Sequence, residues 1–374
     1  MKIAFIIESS WNGGGMERML SFTANALSDK YDVSVVTAFN EDRPDHFAFA
    51  AGVHRHDLGI KRGDFPKPAE IKEEYRKRLS EWLTANRQDT AVSLGSLEMF
   101  FLPDIKDGSK KIFWFHFAWN YDMMCAHSIT PLKIANTLIG CLKRLRRIRA
   151  ARRYDAMVVL TEHDRATWQH YVRNVTCIHN PVTITPLPVE DYSAERAVAV
   201  GRLDWQKGFD ILIKAWSIVA RKYPDWQLDI CGDGPEREKL EQLAAALHLS
   251  GKVSFPGNIS NMAGAYSKHS LMIMSSRYEG FGLVLVEAAA CGLPLVAFDC
   301  EQGPSEIINS GQNGFLVSPA GDTDKLAEAI MQLTADEDKR RQMGTAAKEM
   351  AEEFEPDKIT RQWYDLFEHI ATEK

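Results

Sequence analysis

The sequence lacks the features of a membrane-spanning, disulfide-rich or zinc-binding protein. No stretch approaches the roughly 20 consecutive apolar residues that a membrane-spanning helix needs. The six cysteines include no C-x-x-C pair and no histidine at a metal-ligand spacing, which favours neither a disulfide framework nor a zinc site. The first apolar run, Ile3–Ile7, is too short for a signal peptide and predicts a buried strand. We therefore expect a cytoplasmic protein.

The sequence also has no internal repeat and no low-complexity tract. Its 374 residues, 45% hydrophobic and 26% charged, are typical of a soluble globular protein of two domains. The net charge of −6 is unevenly distributed. Residues 1–180 contain 26 Lys and Arg against 21 Asp and Glu, whereas residues 181–374 contain 19 against 30. The first half is basic and the second half acidic.

Short apolar runs alternate with helical patterns in two series. Such alternation predicts parallel sheets covered by helices on both faces, hence two α/β domains. The predicted strands are 3–7, 33–37, 91–94, 112–115 and 157–160 in the first series, and 197–200, 227–231, 253–255, 271–274, 295–298 and 314–317 in the second.

A proline-containing segment separates the two series. Asn180–Ser193 contains three prolines and no helical period, which is typical of an interdomain linker. We place the first domain at residues 1–184 and the second at 185–355. Residues 356–374 then form an amphipathic C-terminal helix.

The stretch Ser276–Pro294 contains two carboxylates around a glycine turn that opens into a helix. Glu279 and Glu287 are eight residues apart, and Gly280 and Gly282 let the backbone approach a ligand closely. The free N–H groups at the start of the helix form an anion site. A carboxylate before the glycine turn and another in the first turns of the helix could accept hydrogen bonds from hydroxyls on either side of a bound phosphate. The pattern therefore indicates a sugar-nucleotide site.

The same residues also fit a surface loop before an ordinary buried helix, because Leu283 and Val284 would be apolar in either case. The complete run E-G-F-G-L-x-L-x-E-A-x-A-x-G-x-P, which includes Phe281, resembles the signature of retaining glycosyltransferase family 4. That resemblance implies the GT-B fold. In that fold two Rossmann-like, doubly wound domains face a central cleft, and the C-terminal helix crosses back to the N-terminal domain. The resemblance implies that the first domain binds the acceptor and the second binds the nucleotide sugar. The run Gly280–Val284 would contact the sugar-nucleotide donor.

Two cations follow the first strand of the second series. Arg202 and Lys207 lie at its carboxyl end, where open α/β sheets bind ligands. An isolated pair of this spacing would usually be a solvated loop. The run G-R-L-x-x-x-K-G resembles the family segment whose arginine and lysine contact the donor phosphates. We therefore expect both residues to stabilise the leaving diphosphate.

The first domain contributes a glycine turn and a histidine. Three glycines, including Gly14 and Gly15, precede a helical pattern without the G-x-G-x-x-G order of dinucleotide sites. His116 lies in an aromatic run and could be either a core histidine or a group that orients the sugar or acceptor. The resemblance implies that both glycines close over the donor and that His116 has the second role. It also places the nucleotide base near Asn258.

The sequence predicts no catalytic metal and no cofactor. Asp322 and Asp324 have the D-x-D spacing of metal-dependent transferases. They follow a glycine and open a helix, where acids commonly cap the N-terminus. GT-B enzymes that resemble this chain do not use such a motif.

Residues 143–153 contain seven cations in eleven residues, after Leu138 and Leu142. A solvated helix face would explain the cluster, as would an anionic membrane surface. Nucleic acid is not an expected partner, because no recognition motif accompanies the cations. We expect a peripheral contact with the inner face of the membrane.

The motifs together with the family resemblance imply a retaining, metal-independent hexosyltransferase. It would move a hexose or N-acetylhexosamine from a nucleoside-diphosphate sugar, with a UDP-sugar as the expected donor, to a glycan or lipid-linked acceptor in polysaccharide biosynthesis. The residues themselves do not specify the base. The alternatives are a GT-B sugar-nucleotide epimerase, which needs no acceptor, and a non-catalytic module that binds membrane or glycan.

Overall fold

The computed structural model describes residues 1–65, 67–126, 133–300 and 302–372. The chain divides into two compact units. The first unit consists of Met1–His179 and the C-terminal segment that starts at Asp357, and the second unit is Asn180–Pro356. Within the described ranges, no helix combines the length and the apolarity that crossing a membrane requires.

In the described part of the first unit, parallel strands form one sheet in the order β3-β2-β1-β4-β5-β6-β7. The strands are β1 (Lys2–Ile7), β2 (Asp32–Thr37), β3 (Val53–Asp57), β4 (Thr90–Ser93), β5 (Lys110–Trp114), β6 (Ala156–Val159) and β7 (Val175–Cys177). The helices are α1 (Gly15–Leu27), α2 (Pro68–Asn86), α3 (Tyr121–Ala126), α4 (Lys133–Ala151) and α5 (Glu162–Trp168).

The second unit contains its own parallel sheet, in the order β10-β9-β8-β11-β12-β13. The strands are β8 (Arg196–Val200), β9 (Gln227–Cys231), β10 (Val253–Gly257), β11 (Leu271–Met274), β12 (Leu295–Phe298) and β13 (Gly314–Val317). The helices are α6 (Phe209–Lys222), α7 (Arg237–Ala246), α8 (Met262–Ser267), α9 (Leu283–Ala290), α10 (Pro304–Ile307), α11 (Thr323–Thr334) and α12 (Glu337–Ala351).

The predicted α/β class is confirmed, and each predicted strand overlaps an observed one. The prediction missed β3 and β7. The sequence of β3, V-H-R-H-D, is polar because this edge strand is mostly exposed. The other edge strand, β7, has three residues, which is too short for a recognisable apolar run.

The C-terminal helix α13 (Pro356–Thr372) packs on the first unit. Its buried Trp363 lies edge-on to Trp114, with ring centres 4.8 Å apart, and 6.4 Å from the ring of Phe5. On its exposed side, Glu368 pairs with Lys30 at 2.5 Å. The amphipathic sequence therefore covers the first sheet with apolar side chains.

The strand order of the second unit positions the candidate site. Because β8 lies between β9 and β11, the connections that leave β8 and β11 diverge at the carboxyl edge of the sheet. Ligands of doubly wound folds bind at this point. The loop after β8 contains Arg202 and Lys207, and the loop after β11 contains Glu279.

Candidate functional site

Lys207 and Glu279, which are 72 residues apart in sequence, meet as an ion pair. The distance from Lys207 Nζ to Glu279 Oε1 is 2.6 Å, and the side chains are 19% and 8% exposed. Ser276 Oγ donates a second hydrogen bond to the same carboxylate oxygen at 2.6 Å. The site therefore holds a positive and a negative group, both mostly shielded from water, where electrostatic interactions are stronger than in bulk solvent.

The backbone brings these two loops into direct contact. Gly208 has φ 65°, and a Cβ atom there would lie 2.1 Å from the carbonyl oxygen of Ser275. Ser275 Oγ donates to the carbonyl of Lys207 at 2.9 Å. Asp204 caps the short turn before Gly208 by accepting from the Lys207 N–H at 3.3 Å. The glycine is therefore needed for both its conformation and its lack of a side chain.

Arg277 also connects the loops after β8 and β11. The sequence did not indicate it as a site residue. Its guanidinium makes two bonds to the carboxylate of Asp210, at 2.9 and 2.8 Å, and donates to the carbonyl of Trp205 at 2.6 Å. Gln206 Nε2 also donates to the carbonyl of Tyr278 at 3.1 Å. Bidentate pairs of this kind fix orientation as well as distance. These contacts fix the positions of the two loops and therefore of Lys207 and Glu279.

Arg202 does not join the ion pair. Its side chain is exposed, and across the described ranges no acidic side chain forms an ion pair with it. Asn258 is also exposed, directly after the edge strand β10. Two strands separate β10 from β11, which corresponds to about 14 Å across the sheet. The structure thus brings Lys207 and Glu279 together, whereas Arg202 and Asn258 are exposed and lie outside this ion pair.

The glycine turn after Glu279 leads into α9. Gly282 has φ 97° and precedes the helix without a side-chain cap. Gly280, Leu283 and Val284 are half-buried beside it. Phe281 is 2% exposed and its ring packs on Phe354, so its side chain belongs to the core and only its backbone can face a ligand. The start of α9 offers backbone N–H groups to an anion.

Glu287 is buried in the second turn of α9, at 1% exposure. Its Oε1 accepts a hydrogen bond from Thr183 Oγ1 at 2.7 Å, and Tyr266 OH lies 3.5 Å from Oε2. Thr183 belongs to the predicted linker, and no sequence pattern connects it with a residue 104 positions later. These contacts orient the carboxylate within the second unit.

The glycine turn of the first unit lies against a buried carboxylate. Gly14 is the N-cap of α1, and Gly15 is its first residue. A Cβ atom on Gly14 would lie 2.5 Å from Glu17 Oε2. Burial raises the pKa of Glu17, although its hydrogen bonds to the backbone oppose the shift. The sequence analysis did not identify Glu17. It lies in the first turn of α1, where the helix dipole stabilises a negative charge.

His116 follows β5, and its ring lies 4.2 Å from that of Trp114. Burial lowers the pKa of His116 to about 3, so the imidazole is neutral at physiological pH. Its Nε2 atom is buried and has no hydrogen-bond partner among the residues that the structure describes. A fully satisfied core histidine would have a partner there.

The D-x-D segment serves a structural role, since Asp322 caps α11 by accepting from the Lys325 N–H at 3.1 Å. Among the residues that the structure describes, no cluster of three or more His, Cys, Asp or Glu side chains is arranged to hold a metal ion.

Comparisons with known proteins connect this site with a family. The model of the family described as glycosyl transferases group 1 matches residues 190–350. An uncharacterized glycosyltransferase of Haemophilus influenzae is 30% identical over 371 residues, which cover 97% of this chain and 98% of that protein. A Campylobacter jejuni α-1,4-N-acetyl-D-galactosaminyltransferase, named for a GalNAc-containing diphospho-undecaprenol substrate, is 25% identical over 383 residues and 99% of both chains.

Among solved structures, a variant of S. aureus TarM in complex with fondaparinux, α-GlcNAc-glycerol and UDP superposes with a TM-score of 0.79 at 17% identity. The match covers 98% of this chain and 99% of that one. This similarity shows the GT-B fold. The full-length Haemophilus relative and the family match establish that the chain is a glycosyltransferase and belongs to the glycosyl transferases group 1 family.

Proposed function

We propose that this protein is a retaining glycosyltransferase of family 4 that uses a UDP-sugar. The buried Lys207–Glu279 pair beside the start of α9 is the observation that carries the proposal. A diphosphate needs cations and N–H groups, whereas a sugar needs hydrogen-bond acceptors for its hydroxyls. This site offers both within one unit. The UDP in the TarM complex supports the choice of donor.

In this proposal each group of the E-x7-E run and its neighbours has a separate task. Lys207, Arg202 and the N–H groups after Gly282 bind the diphosphate. Glu279 accepts hydrogen bonds from the donor sugar, and Glu287 holds the ribose diol. From the first unit, Gly14 and Gly15 contact the donor and His116 orients a hydroxyl.

The reaction breaks the bond between the anomeric carbon and the diphosphate oxygen, whose electron pair stays on the diphosphate. The acceptor hydroxyl oxygen bonds to the same carbon on the same face, and its proton goes to a phosphate oxygen of the leaving group. Lys207 and Arg202 balance the negative charge that develops, so the proposal needs neither a metal nor the flanking pair of carboxylates that glycosidases use. The name of the Campylobacter relative supports a lipid-linked glycan acceptor in polysaccharide biosynthesis.

The proposal is tested by measuring UDP release from UDP-glucose, UDP-galactose, UDP-GlcNAc and UDP-GalNAc, with and without octyl glycosides of the same sugars. We expect at least one donor to release UDP faster with an acceptor and to give a product with the donor's anomeric configuration by NMR. Equal release without acceptor would indicate an epimerase or a hydrolase. Absence of nucleotide binding would leave a non-catalytic module.

We further propose that α4 attaches the protein to an anionic membrane. Leu138, Leu142 and Leu145 are 61%, 67% and 50% exposed and recur on one helix face. Arg149 lies four residues further along that face. An apolar stripe beside cations is the pattern of helices that lie in the membrane interface.

The structure also reduces the number of cations available to a membrane. Five of the seven have partners within the first unit: Arg147 pairs with Asp122, Arg153 with Asp104, Arg152 donates to a carbonyl, and Arg144 and Arg146 lie over aromatic rings. Lys143 and Arg149 are exposed and form no ion pair or hydrogen bond within the described ranges. The leucines are therefore expected to matter more than the charge count suggests.

Replacing Leu138, Leu142 and Leu145 together with serine is expected to weaken vesicle binding by about 100-fold, because three apolar contacts of roughly 1 kcal/mol each are lost. Co-sedimentation with vesicles of equal phosphatidylglycerol and phosphatidylcholine measures the effect. Leu187→Ser is the control, since Leu187 is 44% exposed in the second unit. Unchanged sedimentation of the triple variant would contradict the proposal.

A further inference from the structure

An exposed aromatic ring lies beside the proposed donor site. Trp205 is 46% exposed and stands two residues before Lys207. Its ring centre is 6.4 Å from that of Tyr278, the residue before Glu279. The indole therefore belongs to one of the two loops that form the ion pair and lies beside the other. A single exposed apolar residue is common on protein surfaces, so its meaning depends on how it is held.

The ring of Trp205 is held in place by Arg277, which also pairs with Asp210. The guanidinium carbon of Arg277 lies 4.7 Å from the ring centre, while the same guanidinium bonds the Trp205 carbonyl at 2.6 Å and Asp210 at 2.9 and 2.8 Å. A cation against an aromatic face is an attractive contact. A side chain that is already held in place loses less conformational entropy when it binds a ligand.

The chemistry of the surroundings indicates which ligand this ring would bind. In the proposed function, the diphosphate is assigned to Lys207 and Arg202, the donor sugar to Glu279 and the ribose to Glu287. The family resemblance places the base near Asn258. The acceptor is the one reaction component to which no residue of the second unit is yet assigned. Pyranose rings present apolar C–H faces with hydroxyls at their edges, which suits an aromatic surface bordered by charged groups.

We propose that Trp205, backed by Arg277, forms a subsite that stacks on a sugar ring of the glycan acceptor. This inference rests on the proposed function. Trp205 binds the acceptor and takes no part in bond breaking. Its loss therefore lowers acceptor affinity without changing the affinity for nucleotide.

The test measures binding of octyl glucoside, octyl galactoside and the octyl N-acetylhexosaminides by ligand-observed NMR, in the presence of saturating UDP. We expect the parent protein to bind at least one of them. Trp205→Ala should weaken that binding by about tenfold or more, as truncation of an aromatic binding residue commonly does. Trp205→Phe should restore most of it. Leu187→Ala, which removes an apolar side chain of similar exposure from the same unit, should change nothing.

The outcomes separate this inference from the function on which it rests. Thermal shift with UDP is measured on each variant, because a ligand that binds the native state raises its stability. If the parent binds no octyl glycoside, or if Trp205→Ala binds it with the parent's Kd, the subsite is refuted even when UDP binding is intact. A loss of UDP affinity in Trp205→Ala would assign the ring to the donor and also overturn the proposal. Absence of UDP binding by the parent would refute the proposed donor itself.

Discussion

Lys207→Ala is expected to lower kcat/KM for sugar transfer by about 10²–10³, the usual cost of removing one group that stabilises developing negative charge. The ammonium lies 2.6 Å from the Glu279 carboxylate and is only 19% exposed, so water cannot easily replace it. Steady-state rates at varied donor concentration measure the loss. Because the leaving diphosphate gains charge in the transition state, most of the effect should appear in kcat.

A loss of stability must be distinguished from this loss of catalysis. Without Lys207, the Glu279 carboxylate keeps Ser276 as a partner but loses its counter-ion, which is expected to cost about 1–3 kcal/mol of unfolding free energy. Lys207→Ala combined with Glu279→Gln should recover much of that stability while remaining inactive. Lys214→Ala, which removes an exposed lysine from the same unit, is the matched control. Parent-like kcat in the double variant would refute the assignment of Lys207.

The sequence was sufficient to predict those parts of the site that lie within one continuous run. Gly282 and α9 follow from local rules, because a glycine with positive φ and an apolar helix are both written into neighbouring residues. The same local rules identified the buried strands. They fail for polar edge strands such as β3, whose sequence does not differ from that of a loop.

Contacts between distant segments could not be predicted. Arg277 and Asp210 are 67 residues apart, and an arginine or an aspartate in a loop is ordinarily solvated. Only the strand order of the second unit, which places the loops after β8 and β11 side by side, explains why they meet. For the same reason the sequence indicated Lys207 and Glu279 as separate donor-binding residues and gave no sign that they form one ion pair.

Glu287→Gln is expected to weaken UDP binding by about 10- to 100-fold, the range for losing hydrogen bonds to a charged acceptor. The substitution keeps the shape of the side chain and its bond from Thr183, but an amide offers one acceptor oxygen in place of two. Thermal titration with UDP gives the Kd. Since the ribose does not react, the change should appear in donor KM, with kcat reduced much less.

The deep burial of Glu287 raises a competing explanation, in which its carboxylate only holds Thr183 and Tyr266 in place. Thr183→Val separates the two roles, because it removes the 2.7 Å bond without touching the carboxylate and should cost about 1 kcal/mol of stability while UDP binds almost normally. A UDP analogue without the ribose hydroxyls gives a second check. If Glu287 binds the diol, the parent and Glu287→Gln should bind this analogue equally well. If the carboxylate is only structural, Glu287→Gln should instead weaken binding of UDP and of its analogue by the same factor, because the substitution would distort the whole pocket.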